Sequence, residues 1–178
     1  MSGSRAAVLA VIALALWGLK RHYADAAVED LRWILWPTGR LVGLATGSSF
    51  EFEGGAGYIC RRHLFLIEKS CAGVNFMIAA LGMTGLAFVR AGGRGAAVAW
   101  RLGQGALLSY AATVLVNTLR ILVALWLASA NLGAGWWTAA RLHRLEGILV
   151  YFAGLLVLDR VARGLAEPDA RTGSGVTP

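Results

Sequence analysis

Apolar residues run through this chain in long blocks rather than recurring every three or four positions, and the blocks approach the roughly 20 residues needed to cross a bilayer's hydrocarbon. Five candidate spans follow, at 5–19, 31–46, 72–89, 97–128 and 145–161. Only helices suit them, because lipid offers the backbone no hydrogen-bond partner. The second block is the weakest: Arg32, Pro37 and Arg40 interrupt it, and Trp33 and Trp36 suit an interfacial level. The fourth exceeds one straight crossing, so it is expected to tilt or to break near residues 103–105. The first follows Arg5 like the apolar part of a signal peptide. It ends in Trp17, Gly18, Leu19, Lys20 and Arg21 instead of a small-residue cleavage motif, and is retained as a span.

The segment 49–67 has a different rhythm. Phe50, Phe52, Tyr58, Leu64 and Leu66 alternate with other residues around Glu53, Gly54, Gly55, Ala56 and Gly57, which predicts a small β-hairpin beside the membrane. No internal repeat is visible. The last stretch, 167–178, is rich in Gly, Pro, Ser and Thr and reads as a disordered tail. The expected fold class is therefore an all-α integral membrane protein of about five transmembrane helices with an extracytoplasmic β-hairpin. Composition agrees: 57% of the 178 residues are hydrophobic and seven are Trp, more apolar surface than one small soluble core can hide.

A net charge of +7 raises the question of nucleic acid, but here Lys and Arg punctuate apolar segments instead of forming one basic face, so no nucleic-acid partner is expected. They read as topological charge. The positive-inside rule places Lys20, Arg21 and Arg32, then Arg90, Arg94 and Arg101, then Arg160, Arg163 and Arg171 in the cytoplasm. The N-terminus and segments 47–70 and 131–144 then face outward. Arg61, Arg62, Lys69, Arg141 and Arg144 share that outer side, so the split is a bias and not a clean partition.

Three residues of chemical interest fall at the outer ends of different spans. Cys71 opens the third; a helix beginning there would offer free amides and a positive dipole end, and Lys69 a nearby cation, both of which favour a thiolate. Arg120 sits among Leu119, Ile121, Leu122 and Val123, where a cation normally turns inward to a partner, and Asn117 shares its face three residues earlier. His143 precedes the fifth span and could exchange the thiol proton. Each has a structural alternative: Cys71 as a packing residue, Arg120 snorkelling to headgroups, His143 as a polar surface residue. Glu68 and Glu146 are candidate partners of the cationic site, and His22 and His63 read as surface residues. Cys60 shares the compartment of Cys71; it reads as a hairpin packing residue, with a disulfide between the two as the alternative.

The segments Cys71-Ala72-Gly73, Asn117-Thr118-Leu119-Arg120 and His143-Arg144-Leu145-Glu146-Gly147 occur in the order found in the exosortase/archaeosortase family. The chain resembles that family over 70–158, and with Cys71 to Phe76 it looks most like the small exosortase K type, although many exosortases have more spans. The resemblance implies a cysteine endopeptidase or transpeptidase in a bacterial cytoplasmic membrane, acting at its outer face. Its partner would be an exported protein bearing a recognition motif, a transmembrane helix and a basic tail. Cys71 would be the nucleophile, His143 the general base and acid, and Arg120, supported by Asn117, the group that stabilises the oxyanion or orients substrate. No cofactor or metal is implied. The chain lacks a His-Glu-x-x-His motif, a Gly-x-Ser-x-Gly elbow and a Walker loop. Two other classes compete: a non-catalytic membrane scaffold, and a small transporter, which the scarcity of intramembrane acidic residues disfavours.

Overall fold

The computed structural model describes residues 2–62, 64–90, 95–130 and 138–166. Its helices are α1 (Ser2–Asp25), α2 (Arg32–Thr46), α3 (Val74–Arg90), α4 (Ala96–Ser129) and α5 (Ala139–Ala166), with strands β1 (Glu51–Glu53), β2 (Gly57–Cys60) and β3 (Phe65–Ile67) between α2 and α3. His63, Arg94, loop residues 131–137 and the expected tail 167–178 lie outside the described residues. Three helical stretches are long and apolar enough to cross a membrane: Arg5–Asp25, Lys69–Arg90 and Ala96–Ser129. The expected spans 31–46 and 145–161 fall short of that standard. At 15 residues α2 is about 22 Å long, and α5 carries Arg144, Glu146, Asp159, Arg160 and Arg163 along its length.

Four of the helices alternate in direction. Leu16 and Ile12 of α1 pack where Gly82 and Gly85 of α3 have no side chain, while Lys20 reaches Asn75 near the start of α3. Between α3 and α4, the Thr84 and Ser109 hydroxyls hydrogen-bond at 3.0 Å, and a Cβ on Gly105 would stand 3.0 Å from the Phe88 ring. Between α4 and α5, Gly154 accepts Val116, whose methyls would lie 2.8 Å from an added Cβ. Helices in lipid gain nothing by hiding Leu from Leu, so they associate through such small residues and interhelical hydroxyls. Gly105 therefore serves α3 packing, and α4 runs unbroken through residues 103–105, its 34 residues spanning about 51 Å. One end of the bundle carries Cys71, Arg120 and His143; Arg90, Arg101 and Arg163 belong to the other.

This arrangement corrects the expected topology. The N-terminal half of α1 packs on the C-terminal half of α3, so the N-terminus stands at the end opposite Cys71, and Lys20, Arg21 and Arg32 stand at the Cys71 end. These cations have local partners: Lys20 donates to Asn75, Arg21 pairs with Asp25 at 3.0 Å, and Arg32 lies 4.5 Å from the Phe52 ring centre. These cations and Cys71 therefore do not stand at opposite ends.

Nor does α2 cross the bundle. It lies along the sheet, antiparallel to residues 48–55: the Glu29 carboxylate just ahead of it accepts the Gly55 N–H at 2.6 Å, Gly39 abuts Tyr58, and Gly43 abuts Ser48 and Phe50. Its buried face, with Ile34, Leu35, Thr38 and Val42, closes over Leu31, Tyr58, Ile67 and Val74. The expected hairpin is present, with Glu53 opposite Gly57, and β3 adds a third antiparallel strand through Tyr58 opposite Ile67. Cys60 is buried on β2, and both cysteines are free thiols.

Pro37 within α2 has no N–H for the Trp33 carbonyl four residues back. The Tyr110 hydroxyl of α4 supplies the missing donor at 2.8 Å, and its ring stacks on Trp33 with centroids 6.0 Å apart. Tyr110→Phe is thus expected to cost about 1 kcal/mol, the usual net worth of one such bond. In a Pro37→Ala background, where the substituted alanine restores the N–H, the cost should shrink. Reversible unfolding of the four proteins in mixed micelles gives the cycle; equal penalties in both backgrounds would rule out this pairing.

Candidate functional site

The site is built outward from Asn117. This side chain is fully buried on α4, yet both halves of its amide are satisfied. Its Nδ2 donates to the Cys71 carbonyl, and its Oδ1 accepts the Tyr151 hydroxyl of α5 at 2.8 Å. One amide thereby ties the chain ahead of α3 to α4 and α5. The approach is possible because Gly73 has φ +67°, a left-handed conformation that favours glycine, and because a Cβ there would stand 3.1 Å from the Asn117 Cγ.

Arg120, one turn further along α4, turns toward α5. Its guanidinium carbon lies 5.4 Å from the Tyr151 ring centre, and its Nε is buried against Gly147, whose missing side chain leaves the room: a Cβ would be 3.0 Å away. Arg120 Nη2 then meets His143 Nε2 at 3.3 Å. On the other side of the ring, His143 Nδ1 lies 3.6 Å from Glu146 Oε2. Glu146 is buried, and neither of its oxygens has a hydrogen-bond partner among the described residues. A cavity of about 460 Å³ opens here, lined by Tyr23, Ser70, Asn75, Arg120, His143 and Tyr151 among others.

Cys71 is half-buried at the rim of this group, joined to it through its backbone. Its Sγ lies 3.8 Å from Ser70 Oγ, and among the described contacts no hydrogen bond joins the sulfur to His143. Two expected sources of activation are placed elsewhere. Helix α3 begins at Val74, so Cys71 precedes it, on a 3₁₀ turn (Lys69–Cys71) where the Cys71 N–H is spent on the Glu68 carbonyl. Lys69 is directed at the end of α1, donating to the carbonyls of Ala24 and Ala26 at 3.2 and 2.7 Å. Glu68, expected to face the cations, instead accepts the Ser70 hydroxyl at 2.7 Å. His22 is exposed on α1.

The structure thus brings Arg120, His143, Glu146 and Asn117 together and places Cys71 beside them. Tyr151 was missed by sequence reading, and Gly147, named there within the segment His143 to Gly147, was given no role. Their signal is the row Gly147, Tyr151, Gly154 and Leu158 on one face of α5. No family model matches the chain, and no curated protein or solved structure matches it.

Gly73→Ala should destabilise the protein by about 1–3 kcal/mol through left-handed strain and displacement of Asn117. Gly18→Ala, on open helix surface, should not; thermal unfolding in detergent compares them, and equal effects would remove Gly73 from the argument. Burial holds the His143 pKa below its ordinary value, with the Arg120 charge acting in the same direction. As pH falls, the unfolded chain therefore takes up this proton first. The contribution of His143 to stability should be full above the ordinary histidine pKa of about 6.5 and lost below it. Wild type should accordingly lose stability relative to His143→Gln between about pH 7.5 and 5; a difference that stays flat or grows in acid would contradict the sign.

Proposed function

We propose that the protein is a membrane-embedded cysteine endopeptidase or transpeptidase of the exosortase/archaeosortase kind. The observation that carries this reading is convergence: segments far apart in sequence, around Cys71, Arg120 and His143, meet at one end of the bundle beside a single cavity. Three apolar helices long enough to span a bilayer are compatible with membrane residence. The substrate is an exported protein whose C-terminal signal joins a short motif, a transmembrane helix and a basic tail. Its scissile bond reaches the Cys71 end of the bundle, at the outer face of a bacterial cytoplasmic membrane. Cys71 attacks the scissile carbonyl to give a thioester, His143 takes and returns the proton, and Arg120 receives the oxyanion, with Asn117 holding the Cys71 backbone in place.

A non-catalytic assembly subunit is the second reading. It is favoured by the sulfur's contact with Ser70 and by the occupation of His143 Nε2 by Arg120. Co-expression with a reporter carrying such a C-terminal signal separates the two. Wild type should release the signal, and Cys71→Ala, Arg120→Ala and His143→Ala, accumulated to equal levels in the membrane, should each cleave at least about 100-fold more slowly. Cleavage by Cys71→Ala at the wild-type rate would exclude the nucleophile assignment.

A further inference from the structure

The row Arg120, His143, Glu146 fixes where the imidazole proton sits. A guanidinium carries donors and no acceptor, so the 3.3 Å contact from Nη2 requires a lone pair on His143 Nε2. A neutral ring then holds its proton on Nδ1, the nitrogen 3.6 Å from Glu146 Oε2. The Glu146 side chain is only 5% exposed and neither of its oxygens has a hydrogen-bond partner among the described residues, so an N–H on Nδ1, 3.6 Å away, would answer a buried carboxyl that is otherwise unmet. Free imidazole in water favours the other tautomer, so the arrangement selects the ring's less common form.

We infer that Glu146 is a positioning residue that holds His143 with its proton on Nδ1, which makes Nε2 the base and Arg120 a donor released when that base is protonated. The second half deepens the acyl-transfer reading and rests on it; the tautomer does not. In the forward step the Cys71 S–H bond breaks and its proton moves to Nε2, the sulfur pair forms the S–C bond, and the carbonyl π pair moves to oxygen. Protonated Nε2 can no longer accept from Arg120, whose Nη2–H is freed as the oxyanion appears. On collapse the oxyanion pair restores the C=O bond, the C–N bond breaks, and Nε2 gives its proton to the departing amine. Nε2 then accepts from Arg120 again. One proton transfer thus both activates the sulfur and delivers the oxyanion donor.

The charged and titratable groups around the ring suit this cycle. Arg120 faces it from α4, Arg144 and Tyr151 share the cavity from α5, and Tyr23 lines the cavity from α1, whose Lys20 is held by Asn75. Cys71 and Glu68 lie on the chain ahead of α3, Glu68 bound to Ser70, which lines the cavity. The cations make a protonated ring short-lived, and the Glu146 carboxyl stands beside Nδ1 on the far side of the ring.

The test uses the full chain in detergent micelles with ¹⁵N-labelled histidine. Long-range ¹H–¹⁵N spectra distinguish the tautomers, and the His143 signals are assigned by their loss in His143→Gln, leaving His22 and His63. At pH 8 wild type should show Nδ1 protonated and Nε2 bare. Glu146→Gln, whose amide oxygen still accepts, should keep that form, and Glu146→Leu should revert to protonated Nε2. Reporter cleavage should fall about 10²- to 10⁴-fold in Glu146→Leu, as when a histidine loses its orienting carboxylate, with Glu146→Gln retaining more. Protonated Nε2 in wild type, or an unchanged tautomer in Glu146→Leu, overturns the inference. If Glu146→Leu does not fold, the wild-type and Glu146→Gln spectra decide. The expected tautomers with no cleavage by any protein would leave Glu146 as positioning residue and sink the acyl-transfer reading instead.

Discussion

The geometry of this end of the bundle depends on one buried amide. Asn117 is fully enclosed, and a primary amide without partners in such a place would cost several kcal/mol. It is tolerated because the Cys71 carbonyl and the Tyr151 hydroxyl meet its two halves, and they do so only when α3, α4 and α5 stand in one register. A slip of one residue along any of the three would leave a polar group unmet in an apolar setting. The rest of the site is helical arithmetic from that point. Arg120 lies one turn beyond Asn117, Gly147 one turn before Tyr151, and His143 one turn before Gly147, so fixing the amide brings guanidinium and imidazole together.

The cap at this end answers a second backbone requirement. Helix α2 contains a proline, and a proline inside a helix strands a carbonyl. In water the solvent would satisfy it; against α4 it is the Tyr110 hydroxyl that does so, turning a defect of α2 into an anchor. With its other face on the sheet, α2 links the end of α1 to the start of β1 without leaving the Cys71 end. The sheet in turn leads the chain through β3 into the Lys69–Cys71 turn, where Lys69 caps the carbonyls closing α1. The loop bearing the cysteine is therefore held from both sides.

Apolar run length announced α1, α3 and α4, since their burden of charge is low enough for the runs to stand out. The turn chemistry of residues 53–57 announced the hairpin, but no second turn signal separated β3, whose Leu66 was read as part of the same alternation. That Lys20, Arg21 and Arg32 share an end with Cys71 was not legible, because their contacts with Asn75, Asp25 and a ring face link distant or local residues and leave no trace in a count of charges. Arg120 and Asn117 were legible because polar groups in an apolar run need partners. Tyr151 and the packing role of Gly147 were not, because a tyrosine or glycine in such a run is ordinary until the opposing helix is known.

The electrostatic arrangement says how a thiol here would have to be activated. The two sources nearest in sequence are committed elsewhere: the Cys71 N–H to Glu68, and the Lys69 ammonium to the end of α1. What remains is the group beyond Asn117, where Arg120 meets His143 and His143 nears Glu146. These groups come from α4 and α5, not from the segment that bears the sulfur, so on the proposed reading a chain in which α5 is displaced would keep the cysteine and lose its base. The packing glycines at 105, 147 and 154 therefore bear on the geometry of the site as well as on stability, since each lets a neighbouring helix come close.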